Sequence, residues 1–306
     1  MPLRKRLILA LLVCGLVTAF VAFLSKHTEP SYNGKTLTQW INIYCWPYNP
    51  TVADLFPRKT FFEDSEPRQN EAADAIRHIG TNAVPTLLDW MDKDFRVAWK
   101  YKLRAALPKR LQNSHSVDWW LVAQDHYRVD RALRGFHILG SNAAPAVPEL
   151  TRRMMTRNSD SGVSAAMALG NMGGVGLPAL LSALTNTRTP NRVMILRSAS
   201  GATRAASNDL SGLTVLAQCV LDPDPGVGST AAMELGLITN QPGIAIPALI
   251  QGLNVSRGQV RARSADALGN YGAQARSAVP ALLQYQNDSD SFVRQCVSNT
   301  LQKLAP

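Results

Sequence analysis

Two stretches of this sequence, AMALGNMG at 166–173 and ADALGNYG at 265–272, are near copies of each other. Their starting positions differ by 265 − 166 = 99 residues, which is three times 33. Between them, AMELG occupies 232–236, and it begins 33 residues before ADALG. Because matches at one recurring offset rarely arise by chance, the sequence predicts an internal repeat of 33 residues.

A second, proline-containing element follows each copy, and it reads GLPALL at 176–181, AIPALI at 245–250 and AVPALL at 278–283. Looser copies of both elements occupy 73–88 and 134–150. A degraded copy lies near 197–206, and the chain closes with a half repeat at 293–304. The repeats therefore extend over 68–306.

Each unit has the pattern of a helical hairpin. In the last full copy one apolar stripe with helical spacing is formed by Val260, Ala262, Ala265, Leu268 and Gly269. Gly272 is expected to end this helix in the left-handed conformation, and Pro280 to lie in the first turn of the next helix. We expect the small residues of the stripe to let the two helices of a hairpin approach closely. Since one hairpin cannot bury its own stripe, neighbouring units must stack, which predicts an all-α solenoid of about six hairpins.

This pattern resembles HEAT repeats, and most of all the bacterial subclass also seen in phycobilisome-lyase-like HEAT proteins. The resemblance implies an armadillo-like helical solenoid over 68–306. A Val-Arg pair frequent in the family is present at 260–261 and 293–294, whereas Gly replaces Arg at 227–228. The segment YNGKTLTQWI at 32–41 is similar to a motif found after the membrane anchor of extracytoplasmic bacterial HEAT proteins.

The N-terminus carries the features of a membrane anchor. RKR at 4–6 precedes an uncharged apolar run at 7–24, which as a helix would extend about 27 Å and span a bilayer core. We therefore predict a cytoplasmic tail and single transmembrane helix within 1–26, with the rest of the chain extracytoplasmic, or periplasmic, because basic residues stay in the cytoplasm. The alternative is a signal peptide cleaved after Ala19, which would release a secreted or periplasmic protein.

The segment 27–67 is rich in aromatic residues and proline, and it is predicted to hold a helix near 37–44 and to cap the first repeat. The whole chain has 306 residues, of which 46% are hydrophobic and 18% are charged, and this composition excludes a disordered chain. Of the four cysteines, three fall in the predicted exported part: Cys45, Cys219 and Cys296. Their wide spacing predicts small buried residues rather than disulfides.

Signatures of catalysis are missing from the sequence: it contains no GxSxG, P-loop, HExxH or CxxC motif. His115 and Asp118 could share a helix face and bind a metal ion, but Asp118 is better explained as the start of a helix. We therefore expect no catalytic residue, no cofactor and no metal site, and the protein is predicted not to be an enzyme.

One basic stripe is the candidate partner-binding face. Arg96, Lys100 and Arg104 are spaced i, i+4, i+8, which places them on one side of a helix, and no acidic residue lies among them. The stripe is either a solvated helix face or a surface for an acidic protein partner. The leading hypothesis is a non-enzymatic interaction scaffold displayed outside the cytoplasm. The alternatives are a nucleic-acid-binding protein that uses the basic face 96–110, which the predicted location disfavours, and a tetrapyrrole lyase or chaperone, which only the subclass resemblance suggests.

Overall fold

The computed structural model describes residues 29–45, 65–91, 105–109, 124–156, 160–205 and 210–305. These residues are mostly helical, and they fall into two compact units, 1–89 and 90–306. The predicted anchor at 7–24, the aromatic residues at 46–64 and the basic stripe at Arg96, Lys100 and Arg104 lie outside the described residues. Within the described part, no helix combines the length and apolar character needed to cross a bilayer.

The described part of the first unit includes a small hairpin that the all-α prediction did not include. Strands β1 (Ser31–Tyr32) and β2 (Lys35–Thr36) pair antiparallel across Asn33 and Gly34, which both have positive φ, at 47° and 74°. An Asn-Gly pair of this conformation matches the twist of two-residue hairpins. The following helix α1 (Leu37–Cys45) confirms the helix predicted near 37–44.

Contacts within the first unit join the hairpin to helices α1 and α2 (Ser65–Ile79). Trp40 is buried in α1 and its indole Nε1 donates to the carbonyl of Tyr32 at 3.0 Å. The Tyr32 ring stacks on His78 of α2 with 4.8 Å between ring centroids. Helix α3 (Val84–Met91) follows α2, and the division between the two units falls inside it.

The second unit is a row of helix pairs, as the repeat predicts. The first helices of the pairs are α4 (Gln124–Leu139), α6 (Asp160–Asn171), α8 (Arg192–Ala205), α10 (Pro225–Leu235) and α12 (Gly258–Asn270), and α14 (Ser291–Leu304) is the final half repeat. The second helices are α5 (Val147–Met154), α7 (Leu177–Thr185), α9 (Leu210–Cys219), α11 (Pro242–Leu253) and α13 (Val279–Leu283). Each first helix contacts the next first helix, and each second helix contacts the next second helix, which is the stacking of an α-solenoid.

Left-handed glycines end the first helices where the sequence predicted such an ending. Gly272 has φ +52°, and the glycines at the same place in other units, Gly80, Gly140 and Gly173, have φ +60°, +50° and +64°. Each is the first residue of a short 3₁₀ turn that leads into the second helix. The pair α10–α11 differs, because Thr239 occupies the place of this glycine and no 3₁₀ turn forms. Helix α11 then begins at Pro242, so that Pro247, the counterpart of Pro280, lies inside it.

The apolar stripe is buried, and its glycine faces the next first helix rather than the second helix of its own hairpin. Val260, Ala262, Ala265 and Leu268 are all fully buried. A Cβ at Gly269 would lie 3.0 Å from Thr300 of α14, and a Cβ at Gly170 would lie 2.8 Å from the carbonyl oxygen of Ser198 in α8. These glycines therefore allow first helices of successive units to approach, rather than the two helices of one hairpin.

Two cysteines of the second unit, Cys219 and Cys296, have free thiols and are buried as predicted. Cys45 of the first unit is half-buried. Burial raises the pKa of the Cys219 thiol to about 11. This thiol therefore stays protonated near neutral pH and behaves as a small apolar side chain.

Candidate partner-binding surface

The predicted site residues Arg96, Lys100 and Arg104 lie outside the described residues, and so do His115 and Asp118. In the ranges that the structure covers, no three His, Cys, Asp or Glu side chains are grouped so that they could hold a metal ion. A candidate surface was therefore sought from the charges and exposed side chains of α4 to α14.

Buried ion pairs account for several charges on the edge where second helices lead into first helices. Arg192, the first residue of α8, donates from its two terminal nitrogens to Asp222 at 2.7 and 2.5 Å, and also to the carbonyl of Leu184 at 2.9 Å. The two side chains are only 6% and 7% exposed. Burial alone raises the pKa of Asp222, but hydrogen bonds from Arg192 and from the Asp224 backbone outweigh it and leave that pKa below its usual value.

A similar ion pair is formed by the aspartate 66 residues, or two repeats, further along. Asp288 accepts hydrogen bonds from Arg261 at 2.8 and 2.7 Å, and these bonds lower the pKa of Asp288. Each of these aspartates is the first of an Asp-x-Asp sequence, at 222–224 and 288–290. The second aspartate is the N-cap of the next first helix: Asp224 accepts from the Gly226 backbone at 2.8 Å, and Asp290 accepts from Phe292 at 2.9 Å.

The Val-Arg pairs of the repeat also have a structural role at this edge. Arg261 donates to the carbonyls of Val255 and Ser256 at 3.1 and 2.8 Å. Arg294 donates to the carbonyls of Asp288 and Ser289, the same two positions one repeat later, at 2.6 and 3.2 Å. Where Gly228 replaces the arginine, Arg257 from the following loop donates to the Asp222 carbonyl at 2.8 Å instead. These arginines bind loop carbonyls and so stabilise the loops at this edge.

Charge is absent from a continuous row of second helices. Helices α7, α9, α11 and α13 contain no Asp, Glu, Lys or Arg. The first helices beside them expose or half-expose charged side chains, which include Arg197, Arg204, Arg263, Asp266 and Lys303. Helix α5, at the start of the row, is different, because Glu149 there is held by hydrogen bonds from Arg152 and Arg153, which lower its pKa to about 2. We name the outer surface of α7, α9, α11 and α13, together with Gln284, the uncharged face.

A column of exposed amide side chains runs along the uncharged face. Gln218, Gln251 and Gln284 are spaced by 33 residues, are all exposed, and continue Thr185 one repeat earlier. Beside this column Leu221 and Leu283 are 48% and 49% exposed. Between neighbouring units, the Tyr285 hydroxyl donates to Asn254 Oδ1 at 2.8 Å. A comparison of the second helices at the 33-residue offset would have revealed this column, which a search for charged and catalytic residues passes over.

A family comparison gives independent information on the repeat. Residues 246–306 match the sequence profile of the HEAT repeats family. The match supports a HEAT-repeat protein. It covers α12, α13 and α14 and most of α11, so the HEAT-repeat match falls on the most regular part of the 33-residue pattern. The bacterial subclass and the membrane anchor remain predictions.

Comparison with solved structures adds only weak likenesses. An engineered protein from the Northeast Structural Genomics Consortium is 20% identical over 72% of this chain and 96% of its own, with a TM-score of 0.42. Human deoxyhypusine hydroxylase in complex with glycerol is 15% identical over 88% of this chain and 95% of its own, with a TM-score of 0.36. No curated protein matches the chain. At these scores the two likenesses carry no argument about function.

Proposed function

We propose that this HEAT-repeat protein is a non-enzymatic scaffold that binds a protein partner on the uncharged face. HEAT repeats suggest a protein-interaction scaffold. The observation that carries the choice of face is the lack of any charged residue in α7, α9, α11 and α13. The cores of protein interfaces are depleted of charged residues, because a charge that loses water without gaining a partner costs several kcal/mol.

The side chains of the uncharged face suit such a contact. Gln218, Gln251 and Gln284 each offer an amide donor and acceptor, so they can pair with the backbone or with polar groups of a partner. The exposed Leu221 and Leu283 add apolar area beside them. Because neighbouring second helices are in contact, these groups form one surface instead of separate patches.

The test compares two sets of three identical substitutions. Gln218→Glu, Gln251→Glu and Gln284→Glu together place three charges on the uncharged face. Gln259→Glu, Gln295→Glu and Gln302→Glu place three charges at exposed positions on α12 and α14. We expect the first variant to lose at least about tenfold in affinity for the protein that co-purifies with the wild type, and the second to bind as the wild type does. Equal binding by both variants would exclude the uncharged face.

The basic stripe at Arg96, Lys100 and Arg104 remains a second candidate surface, proposed from the sequence alone. The effect of salt on partner binding distinguishes this stripe from the uncharged face. Ionic screening acts over about 8 Å at physiological strength, so binding of an acidic partner by the stripe should weaken as salt is raised, whereas binding by the uncharged face should change little. A partner that the triple variant Arg96→Gln, Lys100→Gln and Arg104→Gln releases would assign binding to the stripe. No described residue favours the nucleic-acid or tetrapyrrole alternatives.

We further propose that the repeats are displayed on the extracytoplasmic side of a bacterial membrane. The support is the basic cluster at 4–6 followed by the apolar run at 7–24. Protease added to intact spheroplasts should then digest the repeats. If digestion requires lysis, the repeats lie on the cytoplasmic side and this part of the proposal is wrong.

A further inference from the structure

A small cavity opens in the second unit where the repeat is least regular. It has a volume of about 200 Å³ and lies between the end of α8, the start of α9 and the linker from α10 to α11. This linker is the one in which Thr239 stands where other units have a left-handed glycine. Four consecutive residues of this linker, 238–241, line the cavity.

Contacts from neighbouring elements hold the walls of the cavity. A Cβ at Gly212 would lie 2.0 Å from Thr203 Oγ1, so the glycine lets the start of α9 pack directly on α8. On the other side, the Tyr271 hydroxyl is 2.7 Å from the Leu235 carbonyl and 3.0 Å from the Ile238 carbonyl. The Tyr271 hydroxyl thus holds the linker on this side of the cavity.

The lining combines an apolar interior with a cationic rim. Leu213 is 1% and Ile238 is 6% exposed, whereas Leu210 and Leu237 at the rim are about half exposed, at 46% and 54%. Arg204 also lines the cavity, is exposed, and forms no ion pair or side-chain hydrogen bond within the described residues. Among the described lining residues, none is acidic. Asn240 and Gln241 complete the rim with amide groups.

The volume of the cavity limits the size of the group that can bind in it. Ligand sites for drug-sized molecules have volumes of about 300–1,000 Å³, whereas a cavity of about 150 Å³ holds one benzene ring. A cavity of about 200 Å³ therefore accepts one apolar side chain. Arg204 beside it matches a carboxylate, and the amides of Asn240 and Gln241 match a peptide group.

We propose that this cavity binds the C-terminal residue of a polypeptide, with its apolar side chain inside, its carboxylate on Arg204 and its peptide group at the amide rim. The inference deepens the proposed scaffold function, on which it rests, by adding an anchor pocket for one end of a partner. None of Gln218, Gln251 and Gln284 is among the described residues that line the cavity.

Binding of N-acetyl-leucine to the purified full-length protein tests the proposal, with perturbation of the methyl resonances of Leu213 and Ile238 as the readout. N-acetyl-leucinamide, which lacks the carboxylate, should bind at least about tenfold more weakly, because it cannot form the charge-assisted hydrogen bond with Arg204. 4-Methylpentanoate, which keeps the side chain and carboxylate but lacks the peptide group, should also bind more weakly.

The variant Arg204→Gln should reduce the affinity for N-acetyl-leucine by a similar factor. Arg197→Gln is the matched control, because Arg197 is exposed two helical turns earlier on α8 and does not line the cavity. Equal affinity of the two variants, equal binding of the amide, or equal binding of 4-methylpentanoate would overturn the proposal. Since these probes are added to purified protein, the outcome is independent of whether the Gln→Glu variants lose their partner.

Discussion

Replacement of Asp222 by asparagine should lower the free energy of unfolding by about 3–5 kcal/mol. The carboxylate of Asp222 is 7% exposed and accepts two hydrogen bonds from Arg192, which is itself 6% exposed. The substitution leaves the guanidinium buried without a counter-charge. It also weakens the link between the start of α8 and the loop before α10, so the loss extends to the stacking of two units.

Asp224→Asn is the matched control for this substitution. Asp224 lies two residues away, is exposed, and caps α10 by accepting a hydrogen bond from the Gly226 backbone. Asparagine caps a helix about as well as aspartate, so this variant should change stability by less than about 0.5 kcal/mol. Denaturant unfolding followed by circular dichroism measures both values. Closely similar midpoints for the two variants would mean that the buried pair contributes little to stability.

Replacement of Leu268 by alanine should cost about 2–5 kcal/mol of stability. Leu268 is fully buried in α12, and α12 contacts the first helices of both neighbouring pairs, α10 and α14. Removal of its isobutyl group leaves a cavity in a region where Val260, Ala265 and Tyr271 are also buried. The closely packed helices can fill that space only in part.

The exposed Gln274 in the turn after α12 provides the comparison for Leu268. Gln274→Ala should alter the free energy of unfolding by less than about 0.5 kcal/mol, because the side chain contributes little buried area. The two variants should therefore have clearly different denaturation midpoints. If the midpoints coincide, the inward side of α12 has been assigned wrongly and the repeat register fails with it.

The 33-residue offset was sufficient to predict the helix pairs, because each structural requirement recurs at a fixed position. Gly272 must be left-handed to end α12, and Pro280 is tolerated at the start of α13, where its missing N–H is not needed. The helix that packs against Gly269 could not be predicted in this way. A stripe of small residues indicates a close approach but does not identify the helix that approaches, and here it is α14.

The repeat pattern could not predict ion pairs between residues far apart in the sequence, or the structural effect of a local departure from the repeat. Arg261 and Asp288 are 27 residues apart, and only the stacking of units brings them together. The cavity beside Arg204 is lined in part by Thr239, a position that the pattern marks only as a missing glycine. The hairpin at 31–36, by contrast, could have been predicted from the sequence, since Asn33-Gly34 is a strong two-residue turn signal.

The central proposal is that the uncharged face contacts a protein partner, and photo-crosslinking in living cells tests it most directly. A benzophenone amino acid is placed at Gln251 on the uncharged face, or at Gln259 on α12, both of which are exposed. We expect irradiation to give a covalent adduct of one defined mass from position 251 and none from position 259. An adduct from position 259 with none from position 251 would contradict the proposal.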